Sequence, residues 1–200
     1  VMGQPTVLHA ADAAPLLGGV TPDGEYLMFV PGGEGDIWRL PLGGGDPEVW
    51  LASPAYEDEA VISPDGRWAA YRSDRGGTRH VYLTTYPEPG RTIQVSAEVV
   101  GGSPHWSADS ERIYWVVAPG TVMYADLDDT GDELAVSAPR EHVQGALPFS
   151  PVGMQYVVEG DGERILASLR QVGIGGESTN RRLRAVLGWG ASVREQLGLE

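Results

Sequence analysis

The 200-residue chain contains no cysteine, which excludes disulfides and thiolate metal centres and leaves the redox compartment unreadable. Basic residues are scarce: 14 Lys and Arg stand against 28 Asp and Glu, a net charge of -14. So acidic a chain repels phosphate at long range, which argues against a nucleic-acid partner, whose binding needs a basic patch. The same charge argues against docking on anionic lipid. No apolar run approaches the ~18 residues of a membrane span, so no membrane insertion by this segment is expected. The stretch Val1-Met2-Gly3-Gln4-Pro5 has neither a basic n-region nor an apolar h-region. A signal or anchor is therefore expected only upstream of this chain, and the compartment, extracytoplasmic or cytoplasmic, stays open.

What the chain has in quantity is Gly (28) and Pro (15), as in proteins made of many short strands joined by tight turns. It also repeats itself. VTPDGEYLMFV at 20–30, ISPDGRWAAY at 62–71 and HWSADSERIYWVV at 105–117 are versions of one line, with a worn fourth copy, VVEGDGERILA, at 157–167. The anchoring residues Asp23, Asp65, Asp109 and Asp161 lie 42, 44 and 52 positions apart. A period of ~40–45 residues with four strands per unit is the mark of a β-propeller. The fold expected is all-β: about four four-stranded blades, as a partial or small ring, in one domain over 1–200, with units at 11–51, 52–96, 97–143 and 144–189.

The refrain has a local cause. In Ser63-Pro64-Asp65-Gly66, Pro presets φ, Asp can bond its own backbone amides and Gly accepts positive φ. Together they close a tight hairpin. This turn chemistry accounts for the aspartates without a catalytic role. After the hairpin, Trp68-Ala69-Ala70-Tyr71 reads as a strand covered on both sides, and His80-Val81-Tyr82-Leu83 as an alternating, half-buried one.

The lines SPDGRWAAYRSDRGGTRHVYLTTYPEPGRTIQVS, GGSPHWSADSERIYWV and TVMYADL resemble the TolB-like, WD-like propeller repeats of bacteria. More narrowly, they resemble the propeller that follows the kinase domain in many bacterial serine/threonine protein kinases. The matching pieces are Thr85-Tyr86-Pro87, Gln94-Val95-Ser96, Pro104-His105-Trp106-Ser107 and Ala185-Val186-Leu187-Gly188-Trp189. The resemblance implies a short helix after the last strand, which 190–198 can form with Val193 and Leu197 on one face. Gly188 stands where the family usually has Asn, and Ala108-Asp109-Ser110 lacks the turn's Pro and Gly. Kinase catalytic motifs are absent from the sequence.

Thr6 to His9 reads as a spare strand, expected to complete the last sheet near Leu183–Leu187 or to pair with the same edge of a second copy, because an open edge is an aggregation template. A homo-oligomer is thus one expected partner state.

Constellations for chemistry are thin. His9, His80, His105 and His142 are scattered over different strands with no ligand spacing, so no metal or cofactor is expected. Asp126, Asp128, Thr130 and Gly131 match half of a calcium loop, but Ser137 and Leu134 stand at its twelfth and ninth positions, leaving an acidic turn as the simpler reading. No catalytic residue is assigned. The loops on one end of the blades collect Tyr56, Glu57, Asp74, Arg75, Ser103 and His105, a candidate face for a protein or peptide partner, since recognition residues favour loops on a rigid scaffold. The expected function is a non-catalytic propeller module, the sensor or scaffold part of a larger bacterial protein. The alternatives are a glycosidase-like hydrolase or lyase with two acids in a central channel, and a self-assembling structural fragment.

Overall fold

The computed structural model describes residues 14–32, 35–97, 101–118, 120–130, 133–144, 156–159, 164–171 and 180–187. Among them the regular structure is β throughout, and no helix is long and apolar enough to cross a membrane. The expected closing strand at 6–9 and the helix at 190–198 lie outside the described residues.

The strands form four antiparallel sheets in chain order. The first contains β1 (Leu16–Val20), β2 (Tyr26–Val30), β3 (Ile37–Pro41) and β4 (Glu48–Leu51). The second contains β5 (Glu57–Ile62), β6 (Trp68–Ser73), β7 (His80–Thr85) and β8 (Ile93–Gln94). The third contains β9 (Gly101–Trp106), β10 (Arg112–Val117) and β11 (Thr121–Asp128), and β11 carries two further short strands, β12 (Ala135–Val136) and β13 (Arg140–Val143). The fourth contains β14 (Tyr156–Glu159), β15 (Arg164–Gln171) and β16 (Asn180–Leu187). Each sheet is a meander in which successive strands pair, except that β12 and β13 both pair β11.

The repeated turn is built the same way three times. The Thr21, Ser63 and Ser107 hydroxyls donate to Asp23, Asp65 and Asp109 at 2.5, 2.6 and 2.5 Å. The same oxygens accept from the amides of Tyr26, Trp68 and Arg112 at 3.0, 2.9 and 2.9 Å. Each aspartate accepts in turn from the amide two residues on, at Glu25, Arg67 and Glu111. One hydroxyl and one carboxylate thus satisfy the amides that a tight hairpin leaves without partners. The fourth turn position needs positive φ: Gly24 (73°), Gly66 (72°) and, in the degenerate copy, Ser110 (65°).

The innermost strands share a defect as well. Registers slip between Leu17 and Val20, between Asp58 and Val61, and opposite Tyr114–Val116. In the second and third sheets a non-glycine residue bends the strand, Glu59 at φ 55° and Ser103 at φ 53°. These are β-bulges, which re-aim the strand end that follows the preceding loop.

The chain divides into two compact units, 1–94 and 95–200. In the first, Met28, Val30, Ile37 and Trp50 of one sheet pack on Ala60, Ile62, Ala69, Tyr71 and Tyr82 of the next. The innermost strands come so close that a Cβ on Gly18 would lie 2.4 Å from the Ala60 carbonyl oxygen. In the second, Tyr114, Val116, Val122 and Val143 pack on Tyr156, Val158 and Ile165. Each fully buried apolar side chain contributes ~1.5–3 kcal/mol relative to exposure.

One expectation needs correction. Strand β7 is not half-buried: Val81, Tyr82, Leu83 and Thr84 are all buried, because the Arg75 side chain covers Tyr82 and the Gly90 backbone is bonded to Thr84. In the third sheet the outer strand, β13, is preceded by the two-residue β12 on the same neighbour. Ser137 exchanges bonds with the Asp126 backbone, its Oγ accepting from the amide and its own amide donating to the carbonyl, both at 2.9 Å. Pro139 follows without an N–H to donate, so pairing resumes only at Arg140.

Candidate functional site

The loops joining β4 to β5 and β6 to β7 meet at one end of the second sheet. Ser53 starts the first loop by accepting from the Ala55 amide at 3.1 Å, a local turn that presents Tyr56. Asp74 starts the second: its carboxylate accepts from the Tyr56 amide at 2.8 Å, and its own amide donates to the Tyr56 carbonyl at 3.3 Å. The chain then reverses through Gly77, whose amide donates to the Asp74 carbonyl at 2.7 Å and whose φ is 87°. Arg79 returns over the Tyr56 ring at 5.1 Å. Tyr56 also lies against Gly35, where a Cβ would come 2.5 Å from the ring.

Directly beneath, Glu57 is completely buried. Its Oε1 accepts from Ser53 Oγ at 2.6 Å and Ser73 Oγ at 3.1 Å, and lies 3.5 Å from the Arg75 guanidinium. Its Oε2 is buried with no hydrogen-bond partner. The Arg75 guanidinium spreads across two rings, 4.9 Å from Tyr82 and 5.6 Å from Tyr71, which are themselves stacked at 6.0 Å. Burial raises the pKa of both phenols, and the Arg75 charge works against that rise.

A second ion pair lies one residue along. Arg72 grips Asp58 with two parallel bonds of 2.7 and 2.5 Å and sits 3.4 Å from Glu59. Burial alone would lower the Arg72 pKa; the Asp58 bond and the charges of Glu59 and Asp58 outweigh it and hold the group above its ordinary value. Registration explains both clusters, since Glu57 faces Ser73 and Asp58 faces Arg72 across β5 and β6.

Four of the six candidate residues, Tyr56, Glu57, Asp74 and Arg75, therefore come together in the first unit, while Ser103 lies on β9 in the second. His105 belongs to the second, on β9, beside Tyr156 at 5.9 Å. Burial holds its pKa below the ordinary histidine value, partly offset by the Val158 backbone. Asp58, Arg72, Ser53 and Ser73 were not anticipated. The acid run Glu57-Asp58-Glu59, fourteen residues before Arg72, was the visible signal, but the bulge that sets its pairing was not. The half calcium loop has a local explanation: Asp128 Oδ1 accepts from the Thr130 amide at 3.0 Å and hydroxyl at 2.6 Å. Among the described residues no group of three or more His, Cys, Asp or Glu is placed to hold a metal.

No family model and no curated protein matches the chain. Solved structures do. A protein assigned as TolB from Agrobacterium tumefaciens superposes with a TM-score of 0.59 at 20% identity over 87% of this chain and 57% of its own. TolB from Acinetobacter baumannii gives 0.61 at 15% over 92% and 43%. A protein assigned as a 6-phosphogluconolactonase from Bacteroides uniformis gives 0.53 at 17% over 78% and 48%. The fold is a β-propeller. Within that class it is of the TolB-like kind, and at these identities the likeness is one of fold alone. The chain spans about half the length of these structures.

Proposed function

We propose that the chain is a non-catalytic propeller module that binds a protein or peptide through the loops carrying Tyr56, Asp74 and Arg75, with Glu57 buried beneath them at the start of β5, as the sensor or scaffold part of a larger bacterial protein. The kinase-linked propellers that its motifs resemble are the kind of parent we favour. The observation that carries the reading is the reciprocal bonding of Tyr56 and Asp74. It braces two loops against each other on a β scaffold, so that a partner meets a surface already ordered, and ordering on binding costs less. The acids here favour binding over the hydrolase or lyase alternative: Asp58 is gripped by Arg72 and Glu57 Oε1 by two serines, rather than poised around a cleft.

Panning a random peptide display library on the purified chain tests it. Enriched peptides should lose at least tenfold in affinity for Tyr56→Ala and Asp74→Ala, and keep it for Arg67→Ala at the other end of the same sheet. No enrichment, or equal binding to all variants, would defeat the reading.

Self-association is a second proposal, supported by one observation. Leu16, Leu17 and Val20 on β1 are 42%, 66% and 55% exposed, an apolar run that a monomer has little reason to keep in water.

A further inference from the structure

We propose that Tyr71, Tyr82 and Glu57 form a cage for an arginine side chain of a partner peptide, and that Arg75 occupies this cage when the partner is absent. The inference deepens the peptide-binding reading and rests on it. Two aromatic faces beside a carboxylate are the elements that recognise a cation. Both rings and the acid are buried, so a cation placed there is held away from bulk water, where such contacts are strongest.

Arg75 fills the cage imperfectly. Its guanidinium approaches Glu57 Oε1 at 3.5 Å, longer than the 2.7–2.9 Å of a charge-assisted bond. Glu57 Oε2 is left without a partner. A carboxylate offers a guanidinium two parallel bonds, and Arg75, tethered by its short loop, takes neither in full. An arginine arriving from outside is free of that tether. The Arg75 side chain has the means to swing out while Asp74 stays braced on Tyr56, because it is already 31% exposed and is followed by exposed Gly76, and glycine restricts the backbone least. The chain's charge of -14 draws a basic peptide toward it and speeds encounter.

A self-ligand weakens apparent affinity in proportion to its occupancy, which gives the test its sign. Titration calorimetry with Ac-Gly-Arg-Gly-amide should show Arg75→Ala binding about tenfold more tightly than the parent chain. Ac-Gly-Gln-Gly-amide should bind neither, and adding Glu57→Gln should remove the gain. A folded Arg75→Ala that binds the arginine peptide no better than the parent, or a gain that survives Glu57→Gln, overturns the proposal. Should Arg75→Ala fail to fold, the unaltered chain decides: its Arg75 Nε–H resonance should move on addition of millimolar arginine peptide and stay still with the glutamine one. A resonance that does not move overturns the cage. Library peptides without basic residues that depend on Tyr56 and bind Arg75→Ala as they bind the parent would sink the cage and leave the loop-face reading intact.

Discussion

Glu59 and Ser103 hold the same backbone conformation, φ 55° and 53°, at matching places in two different sheets. Each sits four residues before the hydroxyl that anchors its hairpin, Ser63 and Ser107. A left-handed conformation in a non-glycine residue invites a functional reading, because strain collects at active sites. Its recurrence says otherwise: the bend belongs to the repeat, and Glu59 is strained because the innermost strand must turn there. Function has to be sought in what the bulge brings together, Glu57 with Ser73 and Asp58 with Arg72.

The hairpins supply the first prediction. Ser110 holds at φ 65° the place that Gly24 and Gly66 fill in the other repeats, and a side chain there costs roughly 1 kcal/mol. Ser110→Gly should raise the free energy of unfolding in urea by about 0.5–1 kcal/mol. Gly66→Ala should lower it by about 1 kcal/mol, with strain as the sole cause, since a Cβ at Gly66 meets nothing within 4 Å. Equal stability of all three chains would refute the account of the turn.

The same turns set part of the acid response. The Ser107 hydroxyl, then the Glu111 amide, hold the Asp109 pKa below its ordinary 3.8, and the Thr21 hydroxyl and Glu25 amide do the same for Asp23. A folded-state pKa below the unfolded one gives stability that is present above about pH 4 and is lost as pH falls through the folded value. Thermal midpoints measured from pH 6 down to pH 2 should fall on the acid side. Asp23→Asn and Asp109→Asn should each start lower at pH 6 and fall less. Parallel curves for parent and variants would show that these carboxylates do not carry the dependence.

How far the sequence could be read follows from the range of each interaction. The Ser-Pro-Asp-Gly hairpin was legible because donor, acceptor and turn glycine lie within a few residues. Strand β7 misled, because alternation assumes one wet face and Tyr82 lies under Arg75. Tyr56, Asp74 and Arg75 were legible as loop residues, but their arrangement was not, and Glu57, expected on the loop, is the buried first residue of β5. The register that sets Asp58 against Arg72 depends on a bulge at a glutamate, a residue type that carries no signal for positive φ.

That buried pair yields a sharper prediction. Asp58 is 1% exposed and takes both oxygens' bonds from Arg72. Arg72→Met leaves a buried carboxylate uncompensated and should cost about 3–5 kcal/mol in urea unfolding. Asp58→Leu in the same chain removes the stranded charge and should recover most of that loss. Additive losses in the double variant would mean that the two residues do not act as a pair.

The last prediction concerns association. Leu17 is 66% exposed on β1, with Leu16 and Val20 near half exposed beside it. Water gains when such a run is covered, at ~25 cal/mol per Å² of apolar surface, and a second copy of the chain is always at hand at the chain's own concentration. Sedimentation velocity should therefore show a species larger than the monomer growing in with concentration, as mass action requires. Leu17→Lys should shift that distribution to the monomer. Because Leu17 is exposed in the folded chain, the substitution should leave the unfolding free energy of the dilute monomer in urea within about ±0.5 kcal/mol, as is typical of surface changes. The control is Val49→Lys, which alters an exposed apolar residue of the outer strand β4 rather than of β1. If the unaltered chain stays monomeric up to the highest soluble concentration, or if Val49→Lys and Leu17→Lys act alike, the β1 run is not the contact between copies.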